Sequence, residues 1–329
     1  MTLLENIQKF KLDLLIIFLI ILSSPLFFYK LGQSSLASFD EGWYGDISKN
    51  IIDSGEIFKL EFNGGIYNDH PPLGFWLQAL SMKAFGENAF AVRFPAAMAG
   101  LLSLITIYFL GKELFNKPVG LVSALTLLSS PWFLYRARSG NLDILLTFLF
   151  LLTLFLAIKA SQSKKFLIYF VLSFIFLTLT KTMVPFTIIP ALFVIFYKSK
   201  LEIKDFIKPI IFYIFIIGSW FLIQISYRDN FLERYIGIGL PGVKGESNFF
   251  ENISLIKEYI HSGIGKWFWP GVCSVFLGVL FLQKRFFILI VFFVSFILPF
   301  LFSQKGQIWH LIPTHPILIL AFFGVLNTF

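Results

Sequence analysis

Apolar residues run in long blocks from one end of the chain to the other, broken by short polar stretches, with no sustained alternation of the kind a half-buried strand shows. Crossing a hydrocarbon core of about 30 Å takes about 20 residues of helix. Blocks near that length fall at residues 12–30, 88–110, 118–135, 142–158, 166–180, 184–197, 209–227, 267–282, 286–302 and 307–326. The pattern predicts an all-α, polytopic transmembrane helical bundle of about ten spans, a single domain over residues 1–329. The blocks 166–180 and 184–197 are short and meet at Lys181, which suits a broken or re-entrant segment. Two polar stretches stand out by length, 31–87 and 228–266. Inside the first, residues 73–85 are apolar but too few to cross, and predict a helix lying along the interface.

Composition agrees with that reading. The chain is 57% hydrophobic and 14% charged, against roughly a quarter charged in soluble domains, which excludes a water-soluble protein. A formal charge of +8 raises nucleic acid as a partner. The basic residues are scattered through short loops instead of gathered on one face, so nucleic acid is set aside. Cys273 is the one cysteine and lies in an apolar run, where it packs and forms no internal disulfide. The apolar run after Lys9 and Lys11 is long for a secretory leader and reads as a membrane anchor. With the N-terminus cytoplasmic, Lys9, Lys11, Lys112, Lys117, Lys159, Lys164, Lys165, Lys198, Lys200, Lys204, Lys208, Lys284 and Arg285 fall inside, against only Glu5, Asp13, Glu113, Glu202 and Asp205. That bias orients the chain in the cell (inner or plasma) membrane and places 31–87 and 228–266 on the outer face.

The first outer stretch carries the chemistry. Ser38-Phe39-Asp40-Glu41-Gly42-Trp43-Tyr44 follows the first block, and Tyr67-Asn68-Asp69-His70-Pro71-Pro72 comes before the interfacial segment. Ionisable groups beside lipid are costly and concentrate where there is function, although an acidic pair in an aqueous loop is ordinarily just solvated. A positioned carboxylate can take the proton of an attacking hydroxyl, which makes Asp40 the candidate base. If the hydroxyl attacks a sugar phosphate, His70, Arg93, Arg136, Arg138 and Lys305 are the candidates to neutralise the leaving phosphate. Arg93, Arg136 and Arg138 also suit snorkelling toward headgroups. Asp40, Glu41, Asp69, His70 and Asp143 offer ligands for a divalent metal, Asp40, Glu41 and His70 foremost, but at spacings that match no specific metal motif. His261, His310 and His315 read as interfacial. A transporter or flippase for a lipid-linked or small polar substrate is the alternative function. It fits less well, because ionisable residues are scarce in mid-span and no inverted repeat is evident.

These residues resemble the C-type membrane glycosyltransferases that include the protein O-mannosyltransferases and the lipid A aminoarabinose transferases. The resemblance runs through most of residues 36–160. It lies in Asp40-Glu41 followed by Tyr44, the His70-Pro71-Pro72-Leu73 turn, Arg93-Phe94-Pro95 and Arg138 followed by Asp143, with a weaker likeness at Ser303-Gln304-Lys305, Trp309, Leu311, Pro313 and Pro316. It implies an inverting transfer of a hexose or pentose from a polyprenyl-phosphate donor to a lipid, glycan or protein hydroxyl on the outer face. Asp40 is the implied catalytic residue, and Glu41, Tyr44, Asp69, His70, Arg93, Arg138, Asp143 and Lys305 line the substrate. In two respects the chain departs from the family: His70 stands where the aminoarabinose branch has lysine, and the sequence ends at Phe329, where many relatives continue, which is read either as a short member or as a chain lacking a C-terminal part.

Overall fold

The structure is a computed structural model that describes residues 3–37, 39–197, 199–239, 249–262, 267–281, 283–302 and 307–328. Its helices are α1 (Leu3–Phe28), α2 (Asp40–Ser54), α3 (Leu73–Phe85), α4 (Ala89–Leu114), α5 (Lys117–Leu127), α6 (Pro131–Ala137), α7 (Asp143–Gln162), α8 (Leu167–Thr178), α9 (Ile189–Phe196), α10 (Ile203–Tyr227), α11 (Phe231–Gly239), α12 (Phe249–Ser262), α13 (Phe268–Val279), α14 (Lys284–Leu301) and α15 (Thr314–Leu326). The all-α expectation needs one amendment, a hairpin of β1 (Glu61–Phe62) and β2 (Gly65–Ile66), paired Glu61 to Ile66 and Phe62 to Gly65. Its turn is Asn63-Gly64, both at positive φ (50° and 73°). That is the backbone a tight two-residue hairpin requires.

A helix falls in every predicted block, but few helices are as long as a span. Among the described residues α4, α7, α10 and α14 are long and apolar enough to cross a membrane, five spans if the α5–α6 pair counts as one. The expected ten are not all present at that length, and the reasons are local. The block 118–135 is bent by 72°, because Ser130 accepts a hydrogen bond from the Phe133 amide and Pro131 opens a new helix. The block 184–197 begins as a 3-10 turn (Val184–Ile188) holding Pro185 before α9 starts. The last block likewise opens on a 3-10 turn (Ile308–Leu311), with Pro313 just before α15.

The centre is α4 packed on α7, flanked by α5 and α8, with α13 and α15 packed together beside α5. The most apolar windows of α4 and α7 are 61% and 67% buried within the protein, against 11% for α10, whose Ile211, Ile214, Phe215 and Leu222 face outward. Residues apolar all round therefore mean core in α4 and α7, and lipid contact in α10. α4 and α5 approach through glycine: a Cβ on Gly120 would stand 2.3 Å from the Tyr108 carbonyl oxygen. The 20 residues of α7 span about 30 Å. Asp143 opens the helix, while Lys159 in its last turn pairs with Glu113 at 3.2 Å. Lys159 and Glu113, which the charge pattern assigns to the inner face, therefore lie about one helix length from Asp143.

Candidate active site

α2 begins at Asp40, and successive residues on a helix diverge by about 100°. The two adjacent acids consequently face different surroundings. The Asp40 side chain stays 39% exposed. Glu41 turns inward and is buried, its Oε1 accepting from Arg93 Nε (2.7 Å) and the Gly140 amide (2.8 Å), its Oε2 from Arg93 Nη2 (2.8 Å) and the Ala37 amide (2.6 Å). Burial raises the Glu41 pKa, but Arg93 and the two amides outweigh it and hold the carboxyl below its ordinary value. Arg93 uses its remaining hydrogens on the carbonyls of Leu31, Ser34 and Ser35 and on the Ser34 hydroxyl. Glu41 and Arg93 are thereby consumed by each other and by backbone, and together they clamp the start of α2 to α4 and to the α6–α7 turn. A second brace is polar and buried: Ser48 of α2 donates to Gln78 of α3, which donates to the Gly140 carbonyl.

Beyond Asp40 runs a chain of alternating charges. Arg136, at the end of α6, reaches Asp40 Oδ2 at 3.5 Å and Asp143 Oδ2 through Nε at 3.2 Å, with a closer contact through Nη2. Lys181 Nζ holds the other Asp143 oxygen at 3.0 Å. The Arg136 guanidinium lies 4.9 Å from the centre of the Trp309 ring, a cation–π seat. Lys181 occupies the break after α8, where the Leu179 carbonyl accepts from the Leu73 amide at 3.0 Å and so fastens α8 to the start of α3. The interruption between 180 and 184 is thus a device that delivers a cation to Asp143.

Tyr44, Tyr67 and His70 line the same region, with the His70 ring 6.0 Å from Tyr44 and 6.4 Å from Tyr67. Burial, then the charges of Tyr67, Asp40 and Asp143, pushes the Tyr44 phenol well up, so it stays neutral. Burial also raises Tyr67. Burial first, and the Lys181 charge second, lowers His70 to about 4, so it is neutral at ordinary pH. Its Nδ1 is sealed from solvent without a partner, as are both side-chain polar atoms of Asn68 two residues earlier.

Of the residues singled out from sequence, Asp40, Tyr44, His70 and Asp143 are brought together, with Arg136 between the two aspartates. Asp69 faces away to Arg234 (2.8 Å) in a pair more than 40% exposed on both sides. Arg138 donates to the Leu26 and Tyr29 carbonyls, both at 2.8 Å, and caps the end of α1. Lys305 and its neighbours Ser303 and Gln304 lie outside the described residues, as does the His261 side chain. Among the described residues no three His, Cys, Asp or Glu side chains are placed to hold a metal ion. Of the suggested metal trio, Glu41 points to Arg93 instead of joining Asp40 and His70. His315 is fully buried in α15, and His310 sits within electrostatic reach of Asp143 and Lys181, so neither is merely interfacial. The residues that escaped sequence reasoning are Lys181 as a partner of Asp143, and Asn68. For Lys181 the available signal was a lysine inside an apolar run.

The family described as dolichyl-phosphate-mannose-protein mannosyltransferase matches residues 69–225. A protein of Aquifex aeolicus, described as uncharacterized, is 33% identical over 221 residues, 64% of this chain and 44% of its own length. An undecaprenyl phosphate-alpha-4-amino-4-deoxy-L-arabinose arabinosyl transferase of Pseudomonas savastanoi pv. phaseolicola is 36% identical over 114 residues, 34% of this chain and 21% of its own. The crystal structure of ArnT from Cupriavidus metallidurans bound to undecaprenyl phosphate superposes with a TM-score of 0.77 at 17% identity, covering 95% of this chain and 60% of that one. The chain spans less than two thirds of the length of each of these relatives.

Proposed function

We propose that the chain is a C-type membrane glycosyltransferase of the superfamily that includes the protein mannosyltransferases and the aminoarabinose transferases, as the family match over residues 69–225 and the arabinosyl transferase relative support, and that it moves one monosaccharide from a polyprenyl-phosphate donor to an acceptor hydroxyl at the outer face of the membrane. The observation that carries this reading is the series Asp40, Arg136, Asp143, Lys181. It offers one half-exposed carboxylate at the rim and two cations held behind it by a buried acid.

In the proposed reaction the acceptor O–H gives its proton to the Asp40 carboxylate while the oxygen attacks the anomeric carbon. The bond from that carbon to the phosphate oxygen breaks, and the electron pair leaves with the lipid phosphate. A single displacement inverts the sugar. Arg136 and Lys181 supply positive charge where the phosphate charge grows, and Asp143 keeps both cations fixed before substrate arrives. His70, neutral and with Nδ1 free of partners, completes the wall on the phosphate side. Glu41 and Arg93 act as positioning residues, fixing the first turn of α2 and hence Asp40. Donor binding from the lipid fits the mannosyl and arabinosyl chemistry in the relatives' names.

The test is turnover by the purified protein of a polyprenyl-phosphate sugar. Wild type releases polyprenyl phosphate and glycosylates an acceptor, and Asp40→Asn loses transfer while keeping its unfolding temperature. Full transfer by Asp40→Asn overturns the base assignment. Movement of intact donor across a vesicle with no bond cleavage would instead favour a flippase.

A further inference from the structure

The first turn of α2 carries a second set of side chains, directed outward. Residues three and four apart on a helix are surface neighbours, so Asp40 and Trp43, and equally Phe39 and Trp43, share one patch. The opposite face of α2, with Tyr44, Ile47, Ser48 and Ile51, is buried. Phe39 is 68% exposed and Trp43 43%. Their ring centres lie 5.8 Å apart, and Phe62 of β1 continues the row 5.2 Å beyond Trp43. Phe39 holds this outward position at φ 67° and ψ −131°, a backbone conformation that a bulky residue rarely adopts and that concentrates at functional sites. Two exposed aromatic rings and a half-buried third thus begin one residue before the proposed base.

We propose that Phe39, Trp43 and Phe62 form a platform for a saccharide ring, so that the acceptor is a glycan. The inference rests on the reading of Asp40 as base and names the acceptor class for it. One face of a pyranose presents C–H groups that complement the negative face of an aromatic ring. Asp40 and the exposed Asp46, at the border of the rings, accept the sugar's hydroxyls. A peptide acceptor seeks main-chain partners, and this turn has its donors engaged: the amides of Gly42 and Trp43 go to the carbonyls of Ala37 and Phe39, and the Ala37 amide to Glu41. Burial of the rings in lipid is opposed by Asp46, three residues after Trp43 on the same side of the helix.

Saturation-transfer NMR on the full chain in detergent tests the platform, with chitobiose and a serine-containing hexapeptide as probes. Saturation is expected to reach the ring C–H protons of chitobiose and not the hexapeptide. Trp43→Ala and Phe39→Ala each weaken the chitobiose signal, about five- to tenfold, and Trp43→Phe retains most of it, with unfolding temperature as the check on fold. A hexapeptide signal above that of chitobiose, no chitobiose signal from wild type, or an unchanged signal in folded Trp43→Ala overturns the platform. Failure of the transfer reading is seen separately, as wild type that releases no polyprenyl phosphate from donor.

Discussion

Exchanging Glu41 for glutamine isolates the clamp from the chemistry. The substitution keeps volume and removes one charge, leaving Arg93 with its side chain 7% exposed and its carboxylate gone. Breaking one side of a buried ion pair costs about 3–5 kcal/mol. Arg93 retains the carbonyls of Leu31, Ser34 and Ser35 and the Ser34 hydroxyl, which puts the expected loss at the lower end, about 3 kcal/mol. At 2–4 °C per kcal/mol for a chain of a few hundred residues, that is a fall of roughly 6–12 °C in unfolding temperature. The pH profile carries a second signature. The folded pKa of Glu41 is depressed, so its stabilisation is present above the unfolded value of 4.5 and is lost as pH falls through the folded value. Glu41→Gln therefore flattens the acid limb of stability below roughly pH 5. The assay is thermal unfolding in detergent from pH 3 to 8 beside donor turnover at pH 7. The double variant Glu41→Gln with Arg93→Met, which removes the stranded charge, should recover part of the loss. A single variant within about 0.5 kcal/mol of wild type, or a double variant less stable than the sum of the singles, would refute the reasoning.

Three further outcomes follow from the same geometry. Lys181→Met leaves Asp143 with one cation in place of two; transfer should fall by at least about a hundredfold while Lys181→Arg retains a measurable fraction, which steady-state turnover of both reads directly. His70 folds with its pKa lowered from 6.5 to about 4, so the unfolded state binds its proton more readily and stability drains away as pH falls from 6.5 toward 4; His70→Gln should remove that share of the pH dependence in acid unfolding curves. Arg138→Gln trims an exposed cap on α1, and calorimetry should find a change within about 1 kcal/mol with donor turnover close to wild type, whereas a turnover loss as large as that of Lys181→Met would mean that the arginine reaches substrate.

Much of the bundle was legible because apolar blocks report membrane helices wherever the chain is continuous. Where it is interrupted, the blocks misled: Ser130-Pro131 carries a helix-start signal that a hydropathy window averages away, so a bent pair read as one straight span. Asp40 was legible as a candidate from its place just after the first apolar block. The fate of Glu41 was not, because it depends on the residue at which α2 begins and on Arg93, 52 positions later. Asp69 and Arg138 sit in the same motifs as His70 and Asp143 yet turn to Arg234 and to the end of α1, and motif proximity cannot say which way a side chain turns. Lys181 was visible only as an anomaly in an apolar run, since its partner lies 38 positions earlier on another helix.

The clamp bears on how such a chain can be recombined. Glu41 ties together the Ala37 amide, the Gly140 amide and Arg93 of α4, three segments far apart in sequence. A chimera that imports residues 31–87 from a relative would leave two of those three contacts with the host. Grafts that also carry Arg93 and the turn at Gly140 keep the junction whole. The unit of exchange is therefore set by the clamp and is larger than the loop itself.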